Sequence, residues 1–258
     1  MRRLAACALA VTSVVAGLTP AVGAGSTERW ATWKPVDPRE PSKACPRPVW
    51  PAANSLAPAP GRGRRVLVLG DSLTNYAYRP LAARLSSHGW LPTIVCWGGT
   101  QTDWGLKQAK DVSRRKYLPD RVVVAFGTND VHKNPCSGAA CRHEVRAFGR
   151  RAQKLLNYLG PDRQVWWLNI DMDADRAARA LGEPWNRKYP AFNDELAKVA
   201  AEHPNVKLID WHAIVMTSTK PVYYTWDGLH YSPTSRPRSS AGTMLRVRTI
   251  VNAVDRSA

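Results

Sequence analysis

Beyond its first two dozen residues this 258-residue chain has no segment long and apolar enough to cross a bilayer, which excludes a helical membrane protein. Metal-ligand spacings are missing as well. No Cys-x-x-Cys pair and no His-x-x-x-His helix pattern occurs, so neither a zinc module nor any other metal site is expected. Acidic residues are scarce, 20 Asp and Glu against 37 Lys and Arg, for a formal net charge of +17. Such an excess bears on partners rather than on fold. The basic residues are scattered and form no recognised nucleic-acid module, which argues against nucleic acid and leaves anionic envelope polymers or glycans as the polyanions to consider.

The first residues are a different kind of segment. Arg2 and Arg3 precede an apolar stretch from Leu4 to Leu18, and small residues follow up to Ala24. This is the layout of a secretion signal cut near Ala24; Thr12, Ser13, Gly17 and Pro20 interrupt the run too often for a membrane anchor. Cleavage removes two arginines and no acids, so the net charge falls from +17 to +15, and the mature protein is expected outside the cell. Cysteine use fits export. Cys7 leaves with the leader, and Cys45, Cys96, Cys136 and Cys141 remain, enough for two disulfides. Cys136 and Cys141 bracket a short loop whose ends can meet, which leaves Cys45 for Cys96; this is the favoured one of three connectivities. From residue 25 to 64 the chain is rich in proline, with Trp30, Trp33 and Trp50, and it has no helical or strand period, so it reads as an extended arm ahead of a domain at 65–258.

Within that domain, strand and helix signals alternate. Val66–Leu69, Pro92–Cys96, Arg121–Phe126, Gln164–Ile170 and Val206–Ile209 read as strands. Helical patterns cover Tyr78–His88, Leu106–Ser113, His143–Leu159, Ala191–Glu202 and Met244–Val254. With no hairpin signals between them, they predict an α/β fold: a three-layer α/β/α sandwich on a mostly five-stranded parallel sheet. Parallel sheets collect chemistry at the carboxyl ends of their strands. There the chain carries Gly70-Asp71-Ser72, Trp97-Gly98-Gly99, Gly127-Thr128-Asn129-Asp130 and, after the last strand, a loop with Asp227 and His230.

A serine hydroxyl needs a base, and the base needs an acceptor that fixes its tautomer. Ser72, His230 and Asp227 supply that set. The Gly-x-Ser-x-Gly elbow of α/β-hydrolases is absent around Ser72. The other five histidines, at 88, 132, 143, 203 and 212, lack a comparable partner pattern and read as structural or solvated, His132 alone lying close enough to a functional block to touch substrate. Among eleven tryptophans, Trp97 and Trp226 sit beside these blocks as candidate contacts for a sugar face or acyl chain, as does Trp104, whereas Trp166, Trp167 and Trp211 read as core.

From Arg65 onward the chain resembles the SGNH or GDSL hydrolases, a family of flavodoxin-like fold. Gly70-Asp71-Ser72-Leu73, Gly98-Gly99-Thr100, Gly127-Thr128-Asn129-Asp130 and Asp227-Gly228-Leu229-His230 stand in the family's order. The resemblance implies a catalytic Ser72, His230 and Asp227 and an oxyanion hole formed by the Ser72 amide, the Gly99 amide (or that of Gly98) and the Asn129 side chain. It further implies a cofactor-free esterase acting through an acyl-enzyme on lipid, small acyl or O-acetylated glycan esters, and a monomer. An O-acyltransferase of envelope carbohydrate and a noncatalytic envelope-binding protein are the alternatives. After His230 the run Ser235-Arg236-Pro237-Arg238-Ser239-Ser240 is more basic than the family's short link to its last helix.

Overall fold

The computed structural model describes residues 64–116, 118–220, 222–231 and 240–256. The expected leader and arm, Cys45 and the basic run up to Ser239 lie outside these described residues.

Five strands form one sheet: β1 (Arg64–Gly70), β2 (Trp90–Cys96), β3 (Arg121–Ala125), β4 (Gln164–Leu168) and β5 (Val206–Ile209). Their order is β2-β1-β3-β4-β5, with every neighbouring pair parallel. Strands buried on both faces carry apolar residues at every position rather than at alternate ones. Val66 to Leu69 and Val122 to Val124 are of this kind and fully buried. At the β5 edge the pattern relaxes, and Lys207 and Leu208 are exposed.

Helices cover both faces. On one lie α1 (Ser72–Ser87) and α8 (Ala241–Asp255), packed on each other; on the other, α4 (Gly138–Leu159) packs between α2 (Thr102–Arg114) and α6 (Tyr189–Ala201). Shorter helices α3 (Thr128–His132), α5 (Ala174–Leu181) and α7 (Trp211–Met216) fill the rim where strands end. Successive strand residues point to opposite faces, so Leu67, Leu69, Val122, Val124, Val165 and Trp167 join Phe148, Leu155 and Phe192 in one core. The intervening Val66, Val68, Val123 and Trp166 point to the other face, and Leu81 and Leu85 of α1 and Ile250 and Val254 of α8 are buried as well. Truncating a fully buried residue such as Leu81 to alanine costs ~2–5 kcal/mol. The carboxylate of Asp255 ties the end of α8 to the turn before β2, accepting from the Trp90 Nε1–H at 2.7 Å and lying 2.6 Å from His88 Nδ1.

In this strand order the winding reverses between β1 and β3, the crevice where open parallel sheets bind ligands. Both strands end there in the residues singled out above.

Candidate active site

Ser72 opens α1 directly after β1, and the turn is tight. A Cβ on Gly70 would lie 1.9 Å from Thr74 Oγ1, so only glycine lets the strand pass into the helix here. Asp71 caps the helix: its Oδ1 accepts the Leu73 amide at 3.0 Å and its backbone oxygen the Asn75 amide at 3.0 Å. The first amides of a helix have no acceptor within it, and that of Ser72 is one of them, at the positive end of the helix dipole. Asp71 is buried, which raises its carboxyl above the ordinary range against the pull of Arg246, the Leu73 amide and His230.

The Asp71 Oδ2 accepts from Asn129 Nδ2 at 3.3 Å, which links the end of β1 to the end of β3. Asn129 stands in the first turn of α3, entered through Gly127 at φ 133°, where a Cβ would strike the Ile170 side chain at 2.6 Å. The next residue, Asp130, is fully enclosed. Its Oδ2 accepts the Thr102 amide at 3.0 Å and hydroxyl at 2.9 Å, while its Oδ1 accepts Arg151 Nε at 2.8 Å. It thereby fastens the start of α2, and the Gly98-Gly99 turn before it, to α3. Burial pushes Asp130 up to about 6 in spite of Arg151 and Thr102. Sequence reasoning gave Asp130 no role beyond ending the block, because its partners lie 28 and 21 residues away.

The loop at 222–231 is braced from within. Tyr224 and Tyr231 pair as an antiparallel bridge, and the Thr225 amide donates to the His230 carbonyl at 2.7 Å. Outside it, the Gly228 carbonyl accepts the Asp173 amide at 2.8 Å, Tyr231 OH accepts Trp211 Nε1 at 2.7 Å, and Tyr224 OH donates to the buried Asp171. So held, Asp227 Oδ2 lies 2.6 Å from His230 Nδ1, and His230 Nε2 lies 2.8 Å from Ser72 Oγ. Asp227 Oδ1 accepts the Leu229 amide at 2.9 Å, the His230 amide at 3.1 Å and the Thr225 hydroxyl. Burial raises the Asp227 carboxyl, but the bond to His230, that ring's charge and the bond from Thr225 outweigh it and hold the group below the usual carboxylate range. Tyr76 meets the His230 ring edge-on, centroids 5.1 Å apart, and limits its rotation. A hydroxyl, an imidazole and an ionised carboxylate in this order can deprotonate the hydroxyl as it attacks.

Ser72, Gly99, Asn129, Asp227, His230, Trp97 and Trp226 all line one open cleft of about 550 Å3. Trp97 is 45% exposed and Trp226 63%, whereas Trp166, Trp167 and Trp211 are buried; Trp211 belongs to α7 rather than to the sheet. Trp104 does not line the cleft and packs edge-on against Phe126. Lys133 and Leu181 do line it, and neither was singled out from sequence.

Three of the remaining histidines, which show no partner pattern in the sequence, meet a carboxylate in the structure. His88 meets Asp255, His212 meets Asp171 at 2.7 Å, and His132 meets Glu183 at 2.5 Å, the last off the hydrogen-bonding axis. Burial holds His132 below the ordinary imidazole range against the pull of Glu183. Cys136 and Cys141 are joined with Cα atoms 4.8 Å apart. Cys96 is buried at the end of β2, and its expected partner Cys45 lies outside the described residues. Among the described residues no three His, Cys, Asp or Glu side chains gather as a cation site would require.

The model of the GDSL-like Lipase/Acylhydrolase family matches residues 68–235. The chain belongs to this family. As a GDSL-like hydrolase by family, it has its fold in common with solved structures of low sequence identity. The C-terminal catalytic domain of peptidoglycan O-acetyltransferase A from Streptococcus pneumoniae superposes with a TM-score of 0.53 at 19% identity, over 76% of this chain and 95% of that one. An acetyl xylan esterase from Geobacillus stearothermophilus gives 0.52 at 18% identity, over 75% and 95%. A GDSL-like lipase from Bacteroides thetaiotaomicron gives 0.52 at 16%, over 80% and 96%. Comparison with curated proteins finds no match. Among the described residues of this GDSL-like hydrolase, no helix is long and apolar enough to cross a membrane.

Proposed function

We propose that the protein is an exported serine esterase that removes small acyl groups from glycans. The observation that carries the acyl-enzyme chemistry of this reading is the unbroken line from Asp227 through His230 to Ser72, with contacts of 2.6 and 2.8 Å. His230 Nε2 takes the Ser72 proton as Oγ bonds to the ester carbon. The carbonyl electron pair moves onto oxygen, where the Ser72 and Gly99 amides and Asn129 Nδ2 receive it. Collapse expels the sugar alkoxide, which takes its proton from His230. Water, deprotonated by the same ring, then releases the acid and restores Ser72. Asp227 keeps Nδ1 protonated and stabilises the imidazolium. No metal or organic cofactor enters any step.

The glycan part of the reading is supported by the two exposed tryptophan faces on the cleft wall, which suit the apolar faces of sugar rings. Acetylated polysaccharides are named in two of the fold relatives, an acetyl xylan esterase and a peptidoglycan O-acetyltransferase. Export is supported by the leader-like sequence of residues 1–24 and by the Cys136–Cys141 disulfide, which belongs in an oxidising compartment. A p-nitrophenyl ester series from acetate to octanoate tests the chemistry and the depth of the acyl pocket. Acetate should be turned over best, and Ser72→Ala should lose the activity and all labelling by a fluorophosphonate probe. Turnover or labelling that survives Ser72→Ala rejects the mechanism.

A further inference from the structure

Two permanently charged side chains line the cleft, Asp227 and Lys133. Asp227 is committed to His230, and Glu183 lies 2.5 Å from the ring of the neighbouring His132 without a hydrogen bond to it. Lys133 has no hydrogen-bonded or ion-paired partner for its ammonium among the described residues. The ammonium is nevertheless placed rather than splayed outward. Its Nζ lies 3.2 Å, and its Cε 3.7 Å, from the point a Cβ on Gly99 would occupy, so the side chain lies across that glycine. Gly99, at φ 74°, is the proposed oxyanion donor of the second block, and Trp97 stands two residues before it. A cation without a hydrogen-bonded or ion-paired partner among the described residues therefore lies over the glycine of the proposed oxyanion hole, in a chain already at +17.

We infer that Lys133 binds a carboxylate carried by the sugar, so that the protein selects esters of acidic glycans over neutral ones. This inference rests on the glycan-esterase reading and specifies its substrate class. A neutral sugar on Trp97 would leave the ammonium without a counter-charge, whereas a carboxylate on that sugar supplies one where bulk water is partly displaced. A contact made equally in ground and transition states acts on KM rather than on kcat.

The probe is a matched pair: O-acetylated oligogalacturonate and the same oligomer with its carboxylates methyl-esterified. The wild-type protein should favour the acid form in kcat/KM by tenfold or more at low salt, mostly through KM. The preference should shrink toward unity at about 1 M salt, where the Debye length is ~3 Å. Lys133→Gln should abolish the preference, Lys133→Glu should invert it, and Lys133→Arg should keep most of it. Lys133 is exposed, and circular dichroism checks that each variant is folded. No preference in the wild type, a preference that survives Lys133→Gln, an equal loss of kcat on both oligomers, or no turnover of either oligomer overturns the inference. If Ser72-dependent turnover of p-nitrophenyl acetate persists in any of these cases, the esterase stands and only its selectivity has been misassigned.

Discussion

Asn129→Ala separates the two duties assigned to one side chain. Asn129 is 6% exposed, and its amide nitrogen spends one hydrogen on Asp71 Oδ2 at 3.3 Å, leaving the other for the cleft that it lines. Loss of one well-aimed oxyanion donor costs about 3–4 kcal/mol of barrier, or ~10²–10³ in kcat. The same truncation strips a donor from a buried carboxyl, a loss of about 1.5–3 kcal/mol in folding stability. The two effects are read by different assays. Steady-state kinetics on p-nitrophenyl acetate should show kcat down at least 100-fold with KM nearly constant, because the hole fits the oxygen only once charge develops on it. Urea unfolding should show the midpoint lowered with its slope preserved. Asn129→Asp sharpens the case. Two carboxylates 3.3 Å apart repel by about 5 kcal/mol at an effective dielectric of 20, so the pair retains a proton that it sheds only at the expense of stability. That variant should be less stable than Asn129→Ala at neutral pH and should regain stability on acidification. A folded Asn129→Ala protein losing less than tenfold in kcat, or losing only in KM, would refute the oxyanion assignment.

Asp227→Asn should lower kcat by roughly 10³-fold or more with circular dichroism unchanged, since a neutral amide cannot both accept from Nδ1 and stabilise the imidazolium; a loss under tenfold contradicts the role. Gly228→Ala places a Cβ 2.3 Å from the Asp173 carbonyl oxygen and 2.6 Å from the Ala177 amide nitrogen, at φ 69°. Loop 222–231 must then shift, and displacement of His230 by about 1 Å should cost on the order of 100-fold in kcat/KM; near-normal kinetics would show that the loop tolerates movement. For Asp130, the folded protein binds a proton up to about pH 6 that an unfolded aspartate releases near 3.8. Stability should therefore fall as pH rises between these values, by about 3 kcal/mol in all. Asp130→Asn lacks this slope, so the wild-type advantage over it in urea unfolding should shrink from pH 4 to pH 7, and a constant or growing advantage would count against the raised value.

What could be read from the sequence follows from where apolar periodicity survives. The five strands are legible because a parallel sheet covered on both faces needs continuous runs such as Val66 to Leu69. Helix α1 was predicted only from Tyr78, yet it begins at Ser72. Its first turn buries the polar Ser72, Thr74 and Asn75, of which Ser72 lines the cleft, and these break the apolar period there. The four-block set was legible by resemblance. Its bracing was not: Thr102 with Asp130 and Tyr224 with Asp171 are separated by 28 and 53 residues, and one chain without an alignment carries no signal for such pairs. Lys133 escaped notice for the opposite reason, since one lysine among 37 basic residues stands out only when its ammonium is seen against Gly99.

The chemistry up to the acyl-enzyme is the same for an esterase and an acyltransferase, so the line from Asp227 to Ser72 does not choose between them. The choice falls on the deacylating nucleophile. Water reaches the ester carbon from an open cleft without being bound, and the His230 side chain is 20% exposed there. A sugar hydroxyl must be held against the same imidazole long enough to outcompete it, which requires a platform and a polar anchor beside the acyl group. Trp97, Trp226 and Lys133 line one cleft with Ser72 and would hold the sugar that leaves in the first half-reaction. By microscopic reversibility those contacts also hold a returning sugar. Hydrolysis is then favoured where the deacylated product is dilute, and transfer back to glycan grows as acceptor saturates the cleft. On the proposed reading, the two activities would be set apart by occupancy of one set of contacts rather than by different catalytic groups.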